Sequence, residues 1–178
     1  MRPQPGEVLH FSEDPTITRF VPHVAATAQQ REAYVWAVDA ALAPAYWFPR
    51  QCPRAMAWTV PATTPGDRER IIGPGGGERV HAIEYGWLAA LRSVSLYAYR
   101  LPAGRFRPIG TYALVATEPV DPLAPPVPVG DLLEHHEEAG IQLRVLPNLW
   151  EFWDEVIVST LDFSGIRLRN ARPRPVPD

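Results

Sequence analysis

The stretch Val8-Leu-His-Phe-Ser-Glu-Asp-Pro15 constrains the fold of this 178-residue chain more than any other. Residues Glu7 to Phe11 predict a short β-strand. Asp14 and Pro15 then predict a helical turn, because Asp is a good N-cap and Pro suits the first position of a helix. His10 therefore falls at the end of a strand, among polar neighbours that suit a pocket lining, although a structural histidine is the simpler interpretation.

A second stretch of the same character follows, Tyr46-Trp-Phe-Pro-Arg-Gln-Cys-Pro-Arg54. Before it, residues 34–39 predict a strand, and Asp39 predicts the N-cap of a helix over 40–48. Together, the two stretches predict a ligand pocket. The three aromatic residues that open the second stretch also admit a simpler interpretation, in which they only pack in the core.

The remaining pattern predicts short strands and helices in mixed order. Turn-rich residues 61–77 predict a mobile surface loop, whereas Asp131 and Asn148 predict the starts of two helices. The predicted strands cover residues 54–60, 80–87, 94–101, 111–117, 141–146 and 163–169. This predicts an α+β fold with a mixed or mainly antiparallel sheet and short helices. We expect a single globular domain over 1–171 and an extended or disordered Pro/Arg tail over 172–178.

Composition and charge exclude several classes of protein. The hydrophobic fraction of 46% and the charged fraction of 21% are typical of a globular chain. The net charge of −3 argues against binding to nucleic acid, which needs clustered positive charge. All 17 basic residues are Arg, so the chain lacks the Lys that P-loop enzymes, pyridoxal enzymes and protein kinases require.

Cysteine and hydropathy bear on the compartment. One Cys allows no internal disulfide and no zinc cage of several thiolates. The sequence shows neither a signal peptide nor an apolar run long enough to cross a membrane, and so we expect a cytoplasmic protein without membrane partners. The oligomeric state is not predicted.

Three further motifs are candidates for chemistry, each with a simpler alternative. His135-His136-Glu137-Glu138 has histidine and carboxylate on one helical face, but it lacks the second half of a metal motif, and we expect no metal. Cys52 is either a thiolate favoured by Arg50 and Arg54 or a small buried hydrophobic residue. The glycines at 73–77 lack the spacing of a phosphate-binding loop and favour a flexible loop.

Nearly the whole chain resembles a family of uncharacterised bacterial proteins of this length. The shared segments are His10-Phe-Ser-Glu-Asp-Pro15, Val35-Trp-Ala37 with Asp39, Tyr46-Trp-Phe-Pro-Arg50 with Cys52-Pro-Arg54, Leu96-Tyr-Ala-Tyr-Arg100 and Ser164-Gly-Ile-Arg-Leu-Arg-Asn-Ala171. This resemblance implies a family but no activity.

Residues 8–48 and 94–120 also resemble, remotely, the ADP-ribosyltransferase fold. In that fold a His on the first strand bonds the ribose of NAD, a Tyr stacks on nicotinamide, and a later Glu stabilises the charge that develops at the sugar. The resemblance implies that His10, Tyr46 and Glu118 take these roles here.

The same resemblance implies a nucleotide pocket formed by the two N-terminal stretches. Ser12 and Trp47 would line it, and Arg19 and Arg50 would contact a pyrophosphate through bidentate hydrogen bonds. We expect no required cofactor, with NAD as a co-substrate.

The best functional hypothesis is therefore an NAD-binding protein that transfers ADP-ribose. Two alternatives stay open. One is a non-enzymatic interaction domain that binds a partner through the Trp-rich C-terminal helix and the Arg/Pro tail. The other is an enzyme that acts on a different small molecule.

Overall fold

A computed structural model shows the secondary structure, and it describes residues 1–24, 32–110 and 113–175. Within these residues the strands are β1 (Glu7–Ser12), β2 (Val35–Ala37), β3 (Arg54–Trp58), β4 (Arg79–Glu84), β5 (Tyr97–Pro102), β6 (Arg107–Ile109), β7 (Ala113–Ala116), β8 (Val127–Pro128), β9 (Ile141–Leu146) and β10 (Asp162–Ile166). The α-helices are α1 (Pro65–Ile71), α2 (Leu88–Ser93), α3 (Leu132–Glu138) and α4 (Trp150–Ile157).

The chain divides into two compact units, and each is built from two separate segments. The first unit contains Met1–Trp47 and Ser95–Gly130, and the second contains Phe48–Val94 and Asp131–Asp178. This division into units does not test the prediction of a single domain over 1–171, which stays a prediction.

Antiparallel strands form the first unit. One sheet has the order β1-β5-β8, another has the order β2-β7-β6, and a bridge between Leu9 and Val38 links β1 to the end of β2. Side chains alternate along β1, so Val8 and Leu9 point to opposite faces and enter different clusters. The first cluster contains Val8, Phe20, Val35, Ala37, Tyr99, Leu101, Ala116 and Val120. The second contains Leu9, Val38 and Ala43, with Phe11, Leu42 and Tyr46 packed against them.

A four-stranded sheet with the order β10-β3-β4-β9 forms the second unit. The pairs β10–β3 and β3–β4 are antiparallel, whereas β4 and β9 run parallel. On one face of the sheet, Ala57 and Val80 pack with Ile71 from α1 and Val156 from α4. On the other face, His81 of β4 meets His136 of α3.

The predicted fold class is confirmed. The protein is α+β, with mostly antiparallel sheets and short helices. The N-cap prediction at Asp131 is also confirmed, whereas the prediction of a helix over 40–48 with Asp39 as its N-cap was wrong. Asp39 Oδ1 accepts from the backbone N–H groups of Ala41 and Leu42, although the segment that follows is only a short 3-10 helix, Ala43–Tyr46, and not a helix over 40–48.

Two further predictions about local structure were wrong. No helical turn follows Asp14, because its side chain accepts from both the N–H and the hydroxyl of Thr16, which closes a local turn instead. Residues 61–77 are not simply a loop, since they contain α1. Thr64 caps this helix by accepting from Asp67 N at 3.2 Å, and Pro65 occupies its first position.

Other predictions differ only in their bounds. The strand predicted over 111–117 is β7, and residues 111–112 lie outside the described ones. The sequence gives no signal for β6, and the two-residue β8 lies in a Pro-rich stretch at the edge of its sheet. Of the tail, residues 176–178 lie outside the described part of the chain.

Candidate functional site

His10 is held in a defined orientation on β1. Its Nδ1 lies 2.8 Å from the backbone oxygen of Trp36, and its ring centroid lies 4.6 Å from that of Phe20. A carbonyl oxygen only accepts, so Nδ1 donates and Nε2 is the accepting nitrogen of the ring. The side chain is half-buried. His10 thus presents an acceptor at the border of the first cluster.

Ser12 lies on the same face of β1, two residues further along. Its side chain is buried, and its hydroxyl oxygen accepts from Asp14 N at 3.1 Å. The turn that follows is also tied to β5, because Tyr99 donates its phenol O–H to the oxygen of Asp14 at 2.6 Å and accepts from Ile17 N at 3.1 Å. Residues beyond the strand end are therefore fixed relative to His10.

Tyr46 lies on the other face of this strand. It packs with Leu9 and Phe11, whereas His10 follows the alternation of Val8 toward the first cluster. The structure thus does not bring the Tyr46 ring to the face of His10. Trp47 is buried, and Arg50 belongs to the second unit.

Glu118 and Arg19 are both at the surface of the first unit. The side chain of Glu118 is 75% exposed, and it pairs with Arg105 at 3.5 Å. Arg19 makes two hydrogen bonds to Asp121, of 2.6 and 2.8 Å, which lower the pKa of that carboxyl. Arg19 is adjacent in sequence to Phe20, and the Phe20 ring contacts His10. The ion pair between Arg19 and Asp121 therefore involves the neighbour in sequence of the residue that contacts His10.

Sequence reasoning missed the most buried polar group, which lies in the second unit. His81 and His136 are both buried, and His81 Nδ1 lies 3.0 Å from His136 Nε2. His136 Nδ1 lies 2.6 Å from the oxygen of Leu132, so it donates there, and its Nε2 must accept from His81. His81 Nε2 then carries a lone pair, and among the described residues it has no hydrogen-bond partner.

Burial dominates the electrostatics of this histidine pair. It lowers the pKa of His81 well below the ordinary value, and positive charge on His136, Arg79 and Arg54 lowers it further. Burial also lowers the pKa of His136, against the opposing effect of its bond to Leu132. Both rings are therefore neutral at pH 7.

Cys52 follows the simpler of its two interpretations. It is fully buried, and burial raises the pKa of its thiol to about 12 in spite of the nearby charge of Arg54. The thiolate hypothesis was wrong because desolvation outweighs the attraction of the guanidinium. Among the described residues, no group of three or more His, Cys, Asp or Glu side chains is placed to hold a metal ion.

Glu84 is a buried acidic residue that the sequence did not mark. Its carboxylate accepts from Leu149 N at 3.3 Å and from Arg172 N at 3.1 Å. The carboxylate thereby joins the start of α4 to the residues that follow Ala171. In the sequence, Glu84 is one acidic residue at a strand end, and nothing indicates which backbone groups it will meet.

Comparison with known proteins identifies the family. A family model described as a family of unknown function matches residues 9–171. The chain belongs to this family, DUF6886. Membership confirms the predicted resemblance to an uncharacterised family. No curated protein and no solved structure matches the chain, and the resemblance to ADP-ribosyltransferases stays a prediction. In the described part of the chain, no helix has the length and apolar character to cross a membrane.

Proposed function

We propose that this member of DUF6886 binds a ribose-containing nucleotide, NAD in the first place, through His10. The observation that carries the proposal is the bond from His10 Nδ1 to the oxygen of Trp36. This bond makes Nε2 the accepting atom, and a ribose hydroxyl is a donor that suits it. Orientation by a backbone carbonyl keeps the ring in one tautomer, as recognition of a hydroxyl requires.

Arg19 supports binding of the pyrophosphate. Its partner Asp121 is exposed, and solvent screens ion pairs of this kind so that they contribute little. Arg19 can therefore exchange the carboxylate for a phosphate group, to which a guanidinium makes the same pair of hydrogen bonds.

The reaction that we propose for the bound nucleotide is transfer of ADP-ribose. The bond between C1′ of the ribose and the nicotinamide nitrogen breaks, nicotinamide leaves with the electron pair, and a nucleophilic acceptor forms the new bond to C1′ and releases its proton to solvent. Glu118 supplies the carboxylate that stabilises positive charge at the sugar. Tyr46 has no supported part in this step, because it packs on the face of β1 opposite to His10.

Thermal unfolding with millimolar NAD tests the binding. At about 100 times the Kd, a ligand stabilises the native state by about 2.7 kcal/mol. For a chain of this size we expect the Tm to rise by roughly 5–10 °C. The rise should disappear in His10→Gln and persist in His23→Gln, which changes an exposed histidine of the same unit. A rise that is unchanged in His10→Gln contradicts the proposed site, and no rise in the wild type contradicts NAD binding.

Glu118→Gln separates transfer from binding. This variant should keep the NAD-dependent rise in Tm and lose nicotinamide release, because only the developing charge requires the carboxylate. Equal nicotinamide release by the variant and the wild type contradicts the role of Glu118. Binding without release in the wild type leaves a nucleotide-binding protein that does not transfer ADP-ribose.

A further inference from the structure

Residues 172–175, Arg-Pro-Arg-Pro, pack against the start of α4, and we call them the Arg-Pro segment. Trp150 donates its indole N–H to the oxygen of Arg172 at 2.6 Å, and the Asn148 amide donates to the oxygen of Pro173 at 3.1 Å. Two successive carbonyls of the segment are thus bound by side chains. These contacts recognise an extended backbone, in which neighbouring carbonyls point outward.

The charged side chain of the segment is bound by shape and by charge. Arg174 makes two hydrogen bonds to Asp154, of 2.5 and 2.8 Å, and its guanidinium lies 4.4 Å from the centre of the Trp150 ring. A planar guanidinium can stack on an aromatic ring and bond a carboxylate in a bidentate manner at the same time, whereas an ammonium cannot. The position therefore selects arginine.

The prolines restrict the segment to the conformation that is bound. Pro173 and Pro175 have a fixed φ, and each disfavours the helical region for the arginine before it. An extended segment of this kind loses little entropy on docking, and proline-rich peptides commonly dock in grooves lined by aromatic side chains.

We propose that Asn148, Trp150 and Asp154 form a docking surface for an extended Arg-Pro polypeptide segment of a partner protein, and that the chain's own Arg-Pro segment occupies this surface until it is displaced. None of the three side-chain contacts depends on the covalent link to Ala171. The proposal is independent of nucleotide binding at His10, because all its residues belong to the second unit.

The contacts of Arg174 are exposed, whereas Arg172 N is bonded to the buried Glu84 carboxylate, and this bond must open for the whole segment to be displaced. The side chains of Arg174 and Asp154 are 53% and 49% exposed, and solvent screens pairs of such exposure so that they contribute little. The attached segment competes only through its effective concentration, which is in the millimolar range for a short tether. A partner with additional contacts can exceed that.

The test uses a fluorescently labelled peptide with the sequence of residues 169–178 and the full-length chain carrying Arg174→Glu. The substitution places a carboxylate opposite Asp154, so the chain's own segment leaves while the surface residues are unchanged. We expect the peptide to bind this variant at least tenfold more tightly than it binds the wild type. Arg92→Glu changes the charge of the same unit by the same amount at an exposed arginine of α2, and it should bind the peptide like the wild type.

A charge exchange makes the test specific. In the double variant Asp154→Arg/Arg174→Glu, the wild-type peptide should lose at least tenfold in affinity relative to Arg174→Glu alone. Trp150→Phe in the Arg174→Glu background keeps an aromatic ring but lacks the donor, and it should also weaken binding. Equal Tm values across the variants verify folding, and Arg174→Ala is the substitute if Arg174→Glu does not fold. The proposal is overturned if the peptide fails to bind Arg174→Glu at millimolar concentration, or binds all variants equally.

Discussion

His81 Nδ1 lies 3.0 Å from His136 Nε2 and donates to it. His136 Nδ1 in turn donates to the oxygen of Leu132, so that the two histidines form a chain of hydrogen bonds. Each nitrogen in this chain has one possible role. The chain holds together only with His136 neutral, because a proton added to His136 Nε2 removes the acceptor of the central bond. Arg54 and Arg79 on the sheet and His135 on α3 are the charged or titratable groups whose positive charge acts on the pair.

This arrangement predicts that the protein loses stability in mild acid. The pKa values of both histidines are lower in the folded state than the value of about 6.5 expected in the unfolded chain. Stability is therefore complete above pH 6.5. Below it, the unfolded chain binds protons that the folded chain does not, and the free energy of unfolding falls by up to about 1.4 kcal/mol per pH unit for each histidine. Urea unfolding at pH 7.5, 6.5 and 5.5 measures the slope.

The double variant His81→Leu/His136→Met is the control for this slope. It replaces both partners with apolar groups, which removes the bond without leaving one polar atom buried alone. Its free energy of unfolding should change less between pH 7.5 and 5.5 than that of the wild type. If both proteins have the same slope, the acid sensitivity lies elsewhere.

Cys52 should be unreactive in the native protein. Its thiol is buried and has a pKa of about 12, so almost no thiolate exists at pH 8. Incubation with iodoacetamide at pH 8 should leave the native chain unmodified and modify it fully in denaturant, as intact mass measures. Stoichiometric modification of the folded chain contradicts the buried placement.

Gly77 should tolerate no side chain. Its φ is +75°, and a Cβ there would lie 2.5 Å from the backbone oxygen of Gly140. Gly73 has a similar φ of +65° but nothing within 4 Å of its Cβ position. Gly73→Ala should therefore lower the free energy of unfolding by only the backbone term of roughly 1–2 kcal/mol. Gly77→Ala should lower it clearly further, and equal losses for the two variants in urea unfolding contradict the close approach.

Asp131 should stabilise the helix that carries His136. Its carboxylate caps α3 by accepting from Leu133 N at 2.8 Å and Glu134 N at 3.3 Å. Asp131→Ala should lower the free energy of unfolding by about 1 kcal/mol, and Asp131→Ser should lower it less, because a hydroxyl is also a good cap. Identical losses in chemical denaturation exclude capping as the source.

Local chemistry made much of the fold predictable. The cap at Asp131 and the left-handed Gly140 after α3 depend on residues a few positions apart, and the sequence displays them directly. Helix α1 was missed although Thr64-Pro65 is a good start signal, because the surrounding glycines and prolines dominate the pattern. Tertiary bonds from the Asp67 carboxylate to Thr160 help hold α1, and the local sequence cannot show them.

The candidate site was less predictable, because it depends on pairs that are distant in the chain. His10 lies on the predicted first strand, with its ring half-buried and bonded to a carbonyl, and its role in a ligand site stays a prediction. The placement of Tyr46 opposite to His10 follows from the alternation of side chains along β1. The order of residues does not show which face of β1 a helix 34 positions later will contact. His81 and His136 are 55 residues apart, and the residues that flank each of them do not indicate that the two will be in contact.

The interleaved course of the chain affects how the protein is made. Strands β3 and β4 emerge from the ribosome before residues 95–130 of the first unit, while their outer neighbours β10 and β9 emerge after them. During synthesis both edges of the β3–β4 pair are bare, and unpaired edges invite association between nascent chains. Completion of the second unit is therefore a late event in biosynthesis. A chain that stalls before residue 141 exposes the unpaired edges of β3 and β4, which can associate with other chains.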